Sequence, residues 1–355
     1  MNKLILTALS FFLLQGCFLK ENPINSSMKG DSFLKEILKN KENYEIQIIY
    51  TEIKKDKEGE PHFMDFEFQV DENTYFYPAS TIKLPIVILT LDKINELRSE
   101  GINVSLKSKI TLSPLDQEMS LTQKDSITSF QNLIADILLV SDNSASNVLI
   151  DFIGYNHFNA KMNQAGFNKT YLNHKFSPDP NYTIDWEIKT MFNDLISSNE
   201  KRDIVKADDN ILGLKKGEKK FKDGIVELGS LDFSQKNRSS ITDMHNIIKR
   251  IIFPSKFDDD NAFNLNVEDY DFLRYWMSRF THEDLGNKFT TDKKYFESYN
   301  KFFIHGADTI VANKNIRVYN KIGQAYGTST DNAYIKNYQD DVEFFLTATI
   351  YTNKN

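Results

Sequence analysis

The sequence predicts a two-lobed α+β protein, a mixed α/β fold in which an antiparallel sheet is built from both ends of the chain and a helical lobe lies between them. Strand-like residue patterns stand near the start and again at the end of the 355-residue chain, and apolar runs with helical spacing fill the middle. An irregular, lysine-rich stretch after the second helical run reads as an insertion into this plan. A cleft is expected where the lobes meet.

The elements follow in order. Residues 44–53 and 63–70 favour strands, and the second run alternates Met64, Phe66, Phe68 and Val70 with Asp65, Glu67 and Gln69, as a half-buried strand does. The period then changes. Leu84, Val87, Ile88, Leu91, Ile94 and Leu97 keep helical spacing, with Gly101 as a stop. Pro85 fits a helix at low cost only near its first turn, where backbone N–H groups lack partners, so this helix starts close to Ser80. A second apolar run over 127–153 is interrupted by Ser141-Asp142-Asn143, polar residues that cap or turn a chain between two helices. Residues 171–236 carry Pro178, Pro180 and a lysine-rich segment at 214–222, with weak periodicity; they form the insertion. Helical patterning returns at 242–252 and 269–280, and strand-like runs at 316–321, 332–335 and 342–351 close the chain, with no internal repeat.

Composition narrows the class. With 40% apolar and 13% aromatic residues the chain can bury a large core, which argues against disorder. A net charge of -7 without a basic stripe argues against nucleic acid, whose phosphates are bound by clustered Lys and Arg. Residues 1–16 read as an export signal, with Lys3 at the charged end and an apolar run over 4–14 too short to span a bilayer. Leu14-Gln15-Gly16-Cys17 resembles the bacterial lipobox, in which the cysteine is lipidated and becomes the first residue of the mature protein; the alternative is a plain secretory peptide with an incidental cysteine. Cys17 is the only cysteine, so no disulfide forms within the chain. Residues 17–30 are then expected to be the anchor and tether, holding a catalytic domain over 31–355 outside the cytoplasm, in the cell envelope at a membrane surface.

Three short motifs carry chemistry. Ser80-Thr81-Ile82-Lys83 puts a hydroxyl and an amine three apart on a helix, on one face and within expected hydrogen-bonding reach. A serine hydroxyl needs a neighbour to take its proton, and a desolvated lysine can do so. The motif recurs elsewhere in the chain, among other places at Ser32, Ser198 and Ser298, so context decides. Only Ser80 follows two strands, opens an apolar helix, and precedes first the sole Ser-Asp-Asn, Ser141-Asp142-Asn143, and then Lys321-Ile322-Gly323 on a strand. Taken singly, the same residues cap a helix, turn the chain and edge a strand. None of the six histidines shows a paired metal spacing and no Gly-rich phosphate loop appears, so no cofactor and no metal is assigned.

In that order the motifs resemble those of the class A β-lactamases and their penicillin-binding relatives, S-x-x-K, S-D-N and K-T-G. Neighbouring words agree: Tyr77-Pro78-Ala79, Leu84-Pro85-Ile86, Asn147, Ile153-Gly154 and Tyr326-Gly327-Thr328. The resemblance implies a β-lactamase-like fold. It implies that Ser80 attacks a carbonyl and becomes acylated, that Lys83 helps take its proton, and that Ser141 relays a proton to the leaving nitrogen. It also implies that Asn143 and Lys321 position both, and that the backbone N–H groups of Ser80 and of Gln324, after Gly323, form the oxyanion hole. Lys321 supplies a positive field for a substrate carboxylate and helps lower the pKa of Lys83.

Three departures qualify it. Ile322 stands where the family has Thr or Ser, a hydroxyl that binds the carboxylate of a β-lactam; Thr328 or Ser329 is the expected replacement. The loop that carries the family's deacylating glutamate, just before the helix at 239–250, is replaced by the insertion. Glu227 is the nearest candidate and Glu187 a weaker one, the alternative being that both are surface residues. Third, the chain stops after its last strand, where the family adds a helix on the sheet, so the segment at 33–38 or part of the insertion is expected to cover that face. Three readings follow. The first is a lipid-anchored, β-lactamase-like serine hydrolase. The second is a cell-wall D,D-peptidase or esterase on the same fold with slow β-lactam turnover. The third is a non-catalytic binding lipoprotein.

Overall fold

Both ends of the chain meet in one antiparallel sheet. The computed structural model describes residues 22–30, 32–115, 126–177, 184–197, 203–207, 210–222, 225–257, 262–283, 288–306 and 308–353, so the stretch expected to be an export signal and Cys17 lie outside the described residues. Strands β1 (Gln47–Lys55) and β2 (Pro61–Phe68) form the N-terminal hairpin, and β10 (Ile316–Asn320), β11 (Gly323–Ala325), β12 (Thr328–Asn337) and β13 (Val342–Tyr351) come from the other end. The sheet order is β10-β12-β13-β1-β2, with β11 paired to β12, and the two ends join at Gln47↔Thr349. The run expected at 332–335 is the middle of the longer β12.

Helix α7 (Ile241–Ile252) crosses the inner face of the sheet. Its Lys249 donates to Asp65 at 2.9 and 3.0 Å, and its His245 bridges Thr51 and Thr347 at 2.6 and 2.8 Å. This corrects the reading of β2. Its inward side chains include Phe63, packed on Phe253 and Phe345, and Asp65, whereas Met64 is 44% exposed. Phe66 instead stacks on Tyr50 across the outer face. Helix α1 (Pro23–Gly30) packs against β2 there, burying Ile24 and Met28, which share one helical face at i and i+4, and α2 (Ser32–Lys39) packs on α1. Residues 23–30, expected to be tether, are thus a docked helix. This helix, ahead of the segment proposed at 33–38, covers part of the outer face.

The second lobe is built on α3 (Lys83–Ser99), buried on nearly every side from Lys83 to Asp92, with Pro85 in its first turn. Around it lie α4 (Phe130–Val140), α5 (Asn143–Ile153) and α6 (Tyr155–Gln164), and Phe130 meets Phe152 at 4.5 Å between ring centroids. Helix α8 (Val267–Met277), opened by an Asn266–Asp269 capping box, packs on α4 and α7. The insertion is more regular than its sequence implies. Strand β5 (Trp186–Thr190) joins β3 (Lys109–Pro114) and β4 (Ser126–Ser129) in a small antiparallel sheet. Two further ladders follow, β6 (Lys215–Lys216) with β9 (Leu231–Asp232) and β7 (Lys219–Lys222) with β8 (Ile225–Leu228).

Candidate active site

Ser80 sits in a 3-10 turn, Ala79–Ile82, at the mouth of α3. Ala79 has φ +48°, a left-handed conformation that a residue with a Cβ adopts at a cost, so the surroundings must hold it. Tyr75, Tyr77, Ile211 and Phe233 are buried around it, with Leu214, Leu231 and Ala325 packed alongside, so the insertion buttresses this turn. Gly323 shows how close the approach is: a Cβ there would lie 2.6 Å from Pro78 O, 2.8 Å from Thr81 N and 2.9 Å from Ser80 N. Only glycine lets β11 lie against the serine turn, and that contact brings the backbone of Gln324 beside that of Ser80. Ser80, Asn143 and Gln324 border two cavities, one of about 340 Å³ and one of about 610 Å³.

The Ser-Asp-Asn triplet turns the chain between α4 and α5. Ser141 ends α4 with φ +59°, and the Asp142 carboxylate accepts from Ala145 N at 2.7 Å as the cap of α5. The carbonyls freed by this turn meet Lys83, whose Nζ donates to Ser141 O and Asn143 Oδ1, each at 2.6 Å, and to Asp142 O at 3.3 Å. Ser141 Oγ is 3.5 Å from Lys83 Nζ and 2.9 Å from Lys321 Nζ, so one hydroxyl lies between two lysines. Lys83 is therefore turned to the α4–α5 junction, and among the described residues no hydrogen bond joins it to Ser80, contrary to the spacing argument. In unliganded sites such bonds are commonly long and tighten with substrate.

Both amines are buried. Burial pushes Lys83 well below the ordinary lysine range, the Lys321 charge pushes the same way, and Asp142 opposes them. Burial brings Lys321 down to about 7 against the pull of Asp331. Behind it lies a buried network: Lys301 Nζ donates to Asn320 Oδ1 at 2.7 Å and to Met277 O at 2.6 Å, while Asn320 Nδ2 donates to Asp331 Oδ1 at 2.8 Å. The site thus holds a serine hydroxyl, an amine biased to its neutral form, a second hydroxyl between two amines, and two backbone N–H groups at one cleft. A sequence model of the β-lactamase enzyme family matches residues 31–355. The chain belongs to the β-lactamase enzyme family.

Solved structures with a general likeness include a class A β-lactamase from Bacteroides cellulosilyticus DSM 14838, 12% identical over 90% of this chain and 88% of that one, with a TM-score of 0.47. Others are a β-lactamase from Desulfarculus baarsii DSM 2075, 13% identical over 90% and 87% at 0.48, and PBP-A, 14% identical over 87% and 83% at 0.47. No curated protein sequence matches the chain.

Within this β-lactamase-family site, the expected departures resolve unevenly. Ile322 lines the larger cavity, next to Lys321. Thr328 does not replace its hydroxyl: it is 2% exposed, lies opposite Ala325 and Tyr351 in the sheet, and borders neither cavity, as does Ser329. Glu227 is also displaced from its expected role. It stands on the exposed β8, 3.7 Å from Lys220, and lines neither cavity; Glu187 pairs with Lys189 on β5. Among the described residues the one carboxylate bordering either cavity is Asp142, and it caps α5.

What occupies that side is the segment 174–177. Phe176 lies over Lys83, with Nζ 4.6 Å from the ring centroid. It is held by Asn147, whose amide donates to Phe176 O at 2.8 Å and accepts from Phe176 N at 2.7 Å. Sequence reading missed Phe176, although Asn147, four residues after Asn143 and so on the same helical face, was the available signal. Among the described residues one group elsewhere has metal-binding composition, Asp92, Glu96 and His157, but Lys161 Nζ already pairs with both carboxylates.

Proposed function

We propose that the chain is a serine hydrolase of the class A β-lactamase type that opens β-lactam amides through an acyl-Ser80 intermediate and releases the acyl group slowly. The observation that carries this reading is the Ser141 hydroxyl between Lys83 and Lys321 at the cleft where Gly323 presses on the serine turn. Ser80 Oγ attacks the lactam carbonyl, and its proton passes to the neutral Lys83 amine. The oxyanion forms opposite the backbone N–H groups of Ser80 and Gln324. The C–N bond then breaks, and the leaving nitrogen takes a proton through Ser141, with Lys321 and Asn143 holding the donors in place. Release needs a base for water. Among the described residues the one carboxylate bordering either cavity, Asp142, is engaged as the cap of α5, and this, with the Phe176 ring over Lys83, supports a long-lived acyl enzyme.

A second reading is favoured by Ile322: with an apolar side chain beside Lys321, the site holds a β-lactam carboxylate less strongly, which suits a D,D-peptidase or esterase acting on cell-wall peptides. The anchor at Cys17 belongs to the same proposal, holding the enzyme in the bacterial envelope. Rapid mixing with a chromogenic cephalosporin tests it. The expected trace is a burst of one equivalent per chain followed by slow turnover, both lost in Ser80→Ala. Fast turnover without a burst contradicts the slow-release reading, and no burst with any acylating ester or lactam contradicts the enzyme.

A further inference from the structure

The insertion carries a hairpin that the cleft does not use. Strands β7 and β8 pair with each other, and all four residues of β8 are exposed, Ile225 at 66%, Val226 at 64% and Leu228 at 84%. Val226 and Leu228 share one face of this ladder, Ile225 and Glu227 the other, since successive strand side chains alternate. Residues 215–222 hold five lysines. An arm of apolar side chains flanked by lysines lowers its free energy by leaving water while keeping its charges solvated.

Where the arm is rooted points to its partner. Lys216, just before it, pairs with Glu45 and lies 5.3 Å from the Tyr351 ring centroid, and Tyr351 N donates to Tyr44 O at 2.8 Å. That is the end of the central sheet where β1 begins and β13 finishes. Asn22 is at the same end: its amide donates to Glu67 O at 2.9 Å, next to Phe68, which pairs with Ile48. Asn22 follows Cys17 by five residues, at most about 17 Å of extended chain. The hairpin root and the tether therefore share one end of the sheet.

We propose that the β7–β8 hairpin docks on the phospholipid surface that holds the Cys17 anchor, with Val226 and Leu228 entering the headgroup boundary and the neighbouring lysines facing headgroup phosphates. This rests on the lipid-anchor reading of Cys17. Glu218 and Glu227 offset part of the lysine charge, Glu227 facing Lys220. Apolar insertion therefore carries the contact, which withstands moderate salt.

The test uses the chain from Cys17 onward, coupled through that thiol to a maleimide phospholipid in phosphatidylcholine–phosphatidylglycerol vesicles with brominated acyl chains. Val226→Trp reports on the hairpin. Val342→Trp, at an exposed position at the opposite end of the sheet, is the control, and the native Trp186 and Trp276 set the background. Bromine quenching is expected to be about threefold greater at 226 than at 342, to persist at about 0.5 M salt, and to fall to the control level when Leu228→Asp is added. Equal quenching at the two positions overturns the docking. A Cys17 without lipid in protein taken from its own envelope overturns the anchor instead, and the vesicle measurement still decides whether the hairpin inserts.

Discussion

Lys83 and Lys321 approach one hydroxyl from two sides, at 3.5 and 2.9 Å from Ser141 Oγ, in a site that excludes most water. Two ammonium groups so close repel, and burial disfavours both, so the pair does not hold two protons near neutrality. The rate of Ser80 acylation should rise on the acid side as Lys83 loses its proton and fall through about pH 7 as Lys321 loses its own. Lys321→Arg keeps its charge at every accessible pH. It should abolish the alkaline fall, and a fall that persists in the variant means that another group titrates. Gly323→Ala places a Cβ 2.6 Å from Pro78 O and pushes β11 from the serine turn. Acylation should drop by about 10²-fold, as expected when an oxyanion donor is displaced, with a loss of stability of about 1 to 3 kcal/mol from the backbone clash; a wild-type rate contradicts the geometry. At this scale the motif residues were legible because each follows from local words: a serine before an apolar helix, a polar break between helices, and a glycine two residues after a lysine, although that lysine lies just past the end of β10 rather than within a strand. Phe176 itself was not legible: Asn147 signalled a partner on the Asn143 face of α5, but its identity depends on a contact 29 residues away in sequence. Glu227 was misplaced because nearness to α7 along the chain says nothing about nearness to Ser80.

At the scale of elements, the α4–α5 junction does two things at once. Asp142 caps α5 while the carbonyls of Ser141 and Asp142 hold Lys83, so Asp142→Ala should cost about 1 kcal/mol in urea unfolding and also slow acylation. Loss of stability alone separates the cap from the site. Helix α7 is fastened to the sheet by His245, bonded to both Thr51 and Thr347 and held by burial down to about 3. Its folded pKa lies below the ordinary 6.5, so the unfolded chain binds more protons between those values and stability is lost as pH falls below 6.5. His245→Gln should flatten the acid side of the urea midpoint against pH, and an unchanged slope contradicts the assignment. Strand alternation in β2 was legible, yet its inward face was not, because both faces are covered, one by α7 and the other in part by α1. Alternation gives two faces without saying which neighbour each will meet.

For the whole molecule, the closing of the sheet by both chain ends was legible because strand and helix periods differ and the runs are long. The three small ladders of 171–236 were not, since strands of two to five residues are too short to show a period. Lys301 and Lys321 are fully buried with pKa values of about 7, and this has a global consequence. Between about 7 and the ordinary 10.5 the unfolded chain holds more protons than the folded one, so stability should rise with pH across that window. The slope is at most about 1.4 kcal/mol per pH unit for each group. Urea midpoints near pH 7 and about pH 9 measure the rise, Lys301→Met should remove roughly a third of it because the buried Lys83 and Lys321 contribute the rest, and a flat profile contradicts the buried-lysine account.

Everything proposed for the cleft requires Ser80 to be an acylable nucleophile whose adduct outlasts its formation. Intact mass of the chain after brief exposure to benzylpenicillin, followed by peptide mapping, tests it most directly. The expected result is one added penicillin per chain, located on the peptide containing Ser80, absent from Ser80→Ala and still present long after free drug is removed. An unmodified chain, or a label that remains in Ser80→Ala, contradicts it.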